Sequence, residues 1–365
     1  MSVNDWRIFQ GNREPHNGIK RLLGIEPPSW RRFGSLPDID NNQSRKYWHS
    51  LHKLANSKDN ARDLERGRTF RVRENQSEVL DAINAALYLR RPVLVTGKPG
   101  SGKTSLAYAL AYELRLGPVL LWSITARSIL QEGLYRYDAI ARLQDAQLSK
   151  DNQDNYSGKD NRDNPSSEDD NGYLNIGQYI RLGSLGTAFL PSKYPRVLLI
   201  DEIDKSDINL PNDLLNLLEE GEFKIPELVR LSKRGGKSQV VESEDGIDVT
   251  IEEGKVRCHA FPIIVMTSNG ERDFPPAFYR RCLRVQMPNP TEEDLRDIVT
   301  AHLGAETMEK FQTLIQEFID KNESEESGLA TDQLLNTVYL LAQNADKESL
   351  KKLLFSPLSS LEEGR

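Results

Sequence analysis

The sequence predicts an α/β fold, a three-layer αβα arrangement around a parallel sheet, followed by a small all-helical domain. Three observations predict it. Short, nearly continuous apolar runs at residues 93–95, 119–125, 197–200 and 262–266 have the length and character of strands buried on both faces. The first two are separated by one helix-length segment, and a strand–helix–strand unit of that size builds parallel sheet. Beyond Pro290, apolar residues recur only at helical spacing.

In chain order, residues 1–69 form a basic N-terminal arm, expected to be partly ordered. Its scattered aromatics (Trp6, Trp30, Phe33, Tyr47, Trp48) suit docking on a body, and Pro27, Pro28 and Pro37 interrupt helices. Residues 1–73 carry fifteen Lys and Arg against eight Asp and Glu, so this +7 segment precedes a remainder of −14 in a chain of net −7. Such a basic arm suits nucleic acid, an acidic partner or a neighbouring subunit. The α/β domain is expected over residues 70–289. Val79, Ile83, Ala86 and Leu87 space a helix that leads into the strand at Val93. After the second strand, residues 126–148 read as partly helical. The tract 149–171 is almost entirely Asp, Asn, Ser, Gly and Lys, and is expected to stay disordered because it has too little apolar surface to offset ordering entropy. Residues 174–182 read as a weak helix, followed by a connection around Gly183 and Gly186.

Residues 197–202 then return to the sheet, and Leu210 to Gly221 is an amphipathic helix. Within residues 223–260 the runs beginning at Ile225, Gln239, Val249 and Lys255 read as strands of a hairpin, with Arg230, Lys233, Arg234 and Lys237 forming a basic tip. A final short strand spans 283–286. Thr291 with Asp294 resembles a capping box, and helices are expected over 295–303, 308–319, 331–343 and 347–354, making a lid domain of residues 290–355. A tail of residues 356–365 carries no signal. With 365 residues the chain can bury a sizeable core. No apolar run of about 18 residues suits a membrane span, no secretory signal is evident, and Cys258 and Cys282 lack metal-ligand spacing. A cytoplasmic protein with reduced thiols is the expectation.

The chemistry sits at the ends of the apolar runs. Gly97-Lys98-Pro99-Gly100-Ser101-Gly102-Lys103-Thr104 fills G-x-x-x-x-G-K-[ST] between a strand and a helix. Glycines let successive backbone N–H groups turn towards a phosphate, and the helix adds its positive N-terminal end. Lys103 is suited to the β- and γ-phosphates and the Thr104 hydroxyl to Mg2+. Asp201 and Glu202 end a buried strand at its C-terminal edge, where open α/β sheets bind ligands. There Asp201 suits Mg2+ held through water, and Glu202 suits polarising an attacking water. Asn269 ends the next apolar strand at the same edge, where it can orient that water. Arg280 and Arg281 are adjacent cations that could project into a neighbouring copy's site.

Taken together, Gly97–Thr104, Val197–Glu202, Asn269, Arg280/Arg281 and the helical lid resemble an AAA+ ATPase over roughly residues 70–345. The insert after the second strand and the hairpin before the Asn269 strand are similar to the MoxR branch. That resemblance implies Walker A at Lys103 and Thr104, Walker B at Asp201 and Glu202, sensor 1 at Asn269, and a trans-acting finger at Arg281 or Arg280, with Arg281 the better match. It also implies ATP and Mg2+ as ligands, a hexameric ring whose insert and hairpin line the pore, and remodelling of a protein client, often with a von Willebrand A-type partner. Residues 328–333, where the branch often carries a sensor 2 arginine, contain none. A nucleotide-gated switch with slow or no hydrolysis is the alternative. A nucleic-acid motor rests only on the basic arm and hairpin tip.

Overall fold

The computed structural model of the chain describes residues 6–34, 42–72, 76–156, 175–323 and 331–343. The arm contains α1 (Ile19–Leu23), α2 (Asn42–Ala55) and α3 (Ala61–Thr69), and α4 (Ser77–Leu89) leads into the sheet. Then follow β1 (Val93–Thr96), α5 (Lys103–Glu113), β2 (Leu120–Ser123), α6 (Leu130–Leu134), β3 (Tyr135–Tyr137), α7 (Ala139–Tyr156), β4 (Ile180–Leu182) and α8 (Ser184–Ala188). The chain continues through β5 (Val197–Asp201), α9 (Leu210–Glu220), β6 (Glu222–Lys224), α10 (Pro226–Ser232), β7 (Ser238–Glu242), β8 (Asp248–Glu252), β9 (Lys255–Arg257), β10 (Ile263–Ser268), α11 (Pro276–Tyr279) and β11 (Leu283–Gln286). Four lid helices close the described chain: α12 (Glu292–Leu303), α13 (Ala305–Lys310), α14 (Gln312–Glu323) and α15 (Thr331–Ala342).

The central sheet is parallel, in the order β11-β1-β10-β5-β2. Its strands alternate faces with period two. Val93, Val95, Val197, Leu199 and Val265 pack with Leu106 and Leu110 of α5 and Ile83 of α4. Leu94, Leu198, Ile200, Ile264 and Met266 pack on the opposite face with Leu214 and Leu217 of α9. That is the expected three-layer arrangement. The lid has its own core of Leu295, Val299, Ile315, Phe318, Leu334 and Val338, and Thr291 and Asp294 form the expected capping box. Met308 and Ile319 lie on two helices, not one, broken at Phe311. The segment 347–354 and the tail lie outside the described residues. Among the described residues no helix is long and apolar enough to cross a membrane.

Beside the parallel sheet lies a second sheet, β3-β4-β7-β8-β9-β6. It corrects several expectations. The run from Ile225 is not a strand: Pro226 enters at the first helical turn, where its missing N–H costs nothing, and α10 results. The basic cluster therefore lies on α10 and the turn into β7, while the β7–β8 turn carries Glu244 and Asp245 instead. Residues 176–182 are a 3-10 turn followed by β4, and the connection containing Gly186 is α8. A Cβ on Gly186 would lie 1.9 Å from Leu134 O, so only glycine allows that approach. Helix α7 runs through Tyr156, so the polar tract opens as helix; residues 157–171 of it lie outside the described residues.

The arm is docked, with more helix than its prolines suggested. Ile8 and Phe9 are fully buried, and Asn84 accepts from both their N–H groups at 2.6 and 2.9 Å. Trp48 donates to Ser192 Oγ at 3.1 Å. Arg31, also buried, donates to the carbonyls of Arg90 and Leu218 at the ends of α4 and α9, between the rings of Phe33 and Phe261. Trp30 by contrast is 70% exposed.

Both cysteines are buried, and burial pushes each thiol up to about 12. Because the thiolate is the nucleophile, and a raised pKa keeps these groups protonated at pH 8, the native protein is expected to react only slowly with a thiol reagent there. Both thiols should react on denaturation. Rapid titration of two thiols in the native protein would overturn this.

Candidate functional site

The loop between β1 and α5 carries Gly97, Gly100 and Gly102 at φ values of 152°, 76° and 87°. At Gly97 a side chain would meet Met287 O at 2.9 Å, and at Gly102 the Phe70 ring at 3.0 Å. Both positions need glycine for conformation and for space. Lys103 opens α5 and is buried; its Nζ donates to Gly97 O at 2.8 Å and Lys98 O at 2.9 Å. Burial lowers its pKa below the ordinary lysine value, while the charges of Asp204, Asp201 and Glu202 pull the other way. Ser101 Oγ is buried without a hydrogen-bond partner among the described residues. The loop thus presents a cation, a hydroxyl lacking an acceptor, and a helix N-terminus, a donor set that fits a phosphate chain.

The strand pairing brings the acids to this loop. Asp201 Oδ1 accepts from Thr104 Oγ1 at 3.1 Å and from Thr267 Oγ1 at 2.6 Å. Thr267 Oγ1 in turn accepts from Glu202 N at 2.8 Å, so β10 fixes both members of the Asp-Glu pair. Glu202 occupies the left-handed region at φ 59°, uncommon for a non-glycine residue. Its carboxylate pairs with Lys205 Nζ at 2.8 Å, which raises the Lys205 pKa. Asn269 follows β10, and its N–H donates to Asp204 Oδ2 at 2.8 Å. Thr104 and Asp201 supply hard oxygens, and among the described residues no group of three or more His, Cys, Asp or Glu could hold a metal. That donor set fits Mg2+, which keeps several waters and takes other ligands from substrate phosphates.

These residues open onto a cavity of about 700 Å³, large enough for a nucleotide. Its walls come from three places: the P-loop with Asp201, Glu202 and Asn269; Arg13, Arg66, Phe70 and Arg71 before the first strand; and Asp294, His302, Thr331 and Gln333 of the lid. Thr331 Oγ1, within the stretch 328–333 that carries no arginine, donates to Gly100 O at 2.9 Å, tying the lid to the loop. Residues 324–330 lie outside the described residues.

Gly97 to Thr104, Asp201, Glu202 and Asn269 are therefore brought together, whereas Arg280 and Arg281 do not line the cavity. They follow α11, where Arg281 Nε donates to Glu219 Oε2 at 3.1 Å and Arg280 carries an exposed side chain. Sequence reasoning missed Thr267, Asp204, Thr331 and the arm residues. Thr267 and Asp204 had a readable signal, since each is a polar residue next to an acid- or amide-ended strand. Thr331 and Arg13 had none, being 231 and roughly ninety residues from the loop they approach.

A parallel sheet in this strand order, with a P-loop on one strand, an Asp-Glu pair on another and a helical lid over both, defines a P-loop protein of the AAA+ class. The family model described as "AAA domain (dynein-related subfamily)" matches residues 92–282, over half of the chain, and the chain belongs to that family. Among solved structures it is similar to a chain of "Closed State CryoEM Reconstruction of Hsp104:ATPyS and FITC casein", at 17% identity and a TM-score of 0.38 over 84% of this chain and 50% of that one. It is similar also to "Structure of C. elegans PCH-2", at 15% identity and 0.33 over 87% and 68%. The chain spans half the length of the Hsp104 chain. No curated protein matches it.

Proposed function

We propose that the chain is an ATP-hydrolysing, oligomeric AAA+ ATPase of MoxR type that works in the cytoplasm, remodelling or activating a protein partner, as a hexameric ring. The observation that carries the reading is the Asp201 carboxylate: one oxygen bonded to the hydroxyls of Thr104 and Thr267 beside Lys103, at the mouth of a nucleotide-sized cavity. In this reading the loop N–H groups and Lys103 bind the triphosphate. Thr104 and Asp201 would hold Mg2+, which neutralises developing phosphate charge when bound. Glu202 takes a proton from the attacking water and Asn269 orients it. Arg281 or Arg280 completes a neighbour's site, since neither reaches the cavity of its own chain. The pairing of Arg281 with Glu219 would have to break for Arg281 to serve.

The trans arrangement predicts complementation. Arg281→Ala and Lys103→Ala proteins should each be nearly inactive, and mixing them should restore part of the ATPase rate, because one supplies an intact cavity and the other an intact arginine. No recovery with either the Arg281 or the Arg280 variant would remove the shared site.

One observation favours a slower nucleotide-gated switch. The Glu202 carboxylate is engaged by Lys205 Nζ at 2.8 Å, so the group that would receive the water's proton is already occupied by a donor of its own chain. The two readings separate on turnover per protomer against protein concentration: rising for the ring machine, flat and near zero for the switch. A von Willebrand A-type partner is part of the first reading, and a nucleic-acid motor is not favoured because the basic cluster does not form a hairpin tip.

A further inference from the structure

The arm lies outside the residues matched by the family, yet part of it enters the cavity. Residues 10–16 are held by one carboxylate. Glu113, the last residue of α5, has a side chain only 2% exposed and accepts from Gln10 N at 2.5 Å, Asn12 N at 3.1 Å and His16 Nε2 at 3.1 Å. Its carbonyl also accepts from His16 N at 2.8 Å. Next to these contacts Gly11 O accepts from Val72 N at 3.0 Å, which joins the segment to the stretch bearing Phe70 and Arg71. A carboxylate is costly to bury unless hydrogen-bonded, and here two of its three partners are backbone N–H groups of this one loop and the third is the His16 ring. Between two of the anchored residues stands Arg13, in the left-handed region at φ 72°. Non-glycine residues held there cluster at ligand sites, because surrounding structure must impose the conformation. Arg13 is one of the residues that line the same cavity as the P-loop.

We propose that Arg13 is a nucleotide-binding residue of this chain and that Glu113 positions it. The inference rests on the nucleotide reading of the cavity. Helix α5 then serves the ligand from both ends: Lys103 at its start binds the phosphates directly, and Glu113 at its end holds the arm loop that brings a second cation to the same cavity. A planar guanidinium with five donors suits a nucleoside triphosphate better than any neutral residue at this position. The role of the basic arm is thereby local, one wall of the chain's own site.

The test is calorimetric binding of ATP with magnesium to the full-length protein carrying Arg13→Gly, Arg13→Lys, Glu113→Gln, Arg13→Gly with Glu113→Gln, or Lys103→Ala. Glycine suits φ 72° better than arginine does, so Arg13→Gly should keep or raise Tm while weakening ATP binding roughly tenfold to a hundredfold, the range for a lost charged hydrogen bond. Arg13→Lys should recover part of the affinity. Glu113→Gln should weaken binding less, and the double variant should bind no worse than Arg13→Gly, because the anchor acts only through the arginine. A purely structural loop predicts unchanged affinity in Arg13→Gly; that result, with Lys103→Ala defective, overturns the inference and leaves the nucleotide site standing. Unchanged affinity in Lys103→Ala overturns both.

Discussion

Glu202→Gln is expected to bind ATP close to normally and to turn it over roughly 10²- to 10⁴-fold more slowly, the usual contribution of a positioned general base. The substitution keeps size and shape. The backbone contact to Thr267 Oγ1, which sets the residue's place next to Asp201, does not involve the side chain and survives. What is lost is the capacity to accept a proton, together with the ion pair to Lys205. That pair is about half exposed on both sides and contributes little to stability, so a change in rate cannot be attributed to unfolding. Phosphate release under saturating ATP, with affinity measured separately, checks the result. Wild-type turnover in the variant would dismiss Glu202 as the base.

The largest expected effect on stability lies away from the candidate site. Arg196, just before β5, is 1% exposed and makes a two-pronged pair with Asp245, at 2.6 and 2.9 Å, while also donating to Tyr47 OH and Pro118 O. Asp245 is 4% exposed. Arg196→Met would leave that carboxylate buried without its counter-ion, and breaking a buried pair from one side costs about 3–5 kcal/mol. Denaturant unfolding is expected to register a loss of this size. Adding Asp245→Leu should restore much of it, since replacing both partners with apolar groups is often nearly neutral. A loss below about 1 kcal/mol in Arg196→Met would mean the pair is better solvated than its burial indicates. Because Asp245 sits in the β7–β8 turn and Tyr47 in α2, the pair ties that turn and the arm to the base of the central sheet. A pore-lining role for the hairpin would have to leave this turn in place.

These two sites differ in how far the sequence announced them. The P-loop, the Asp-Glu strand end and Asn269 were legible because each is local: glycine spacing, an apolar run and the polar residue that ends it specify strand, loop and edge together. The parallel sheet followed from runs too apolar to face water on either side. Helix α10 is not legible in the sequence because Ile225 and Val229 favour strands, and the proline that starts a helix also interrupts one. Arm helices α2 and α3 were missed because their apolar residues are few, and what stabilises them is contact with Ser192, Tyr108 and the body.

By itself, then, the sequence determined the αβα class, the glycine-rich loop between strand and helix and the order of acids along the sheet edge, since those depend on neighbours within a few residues. Tertiary structure alone decided that Thr267 holds the Asp-Glu pair, that Thr331 ties the lid to Gly100, that Arg196 finds Asp245, and that Glu113 binds the loop around Arg13. Each of these joins residues about fifty to more than two hundred positions apart. Their pairing is set by which elements pack together and which polar groups are then buried and must find a partner, and no spacing along the chain encodes that.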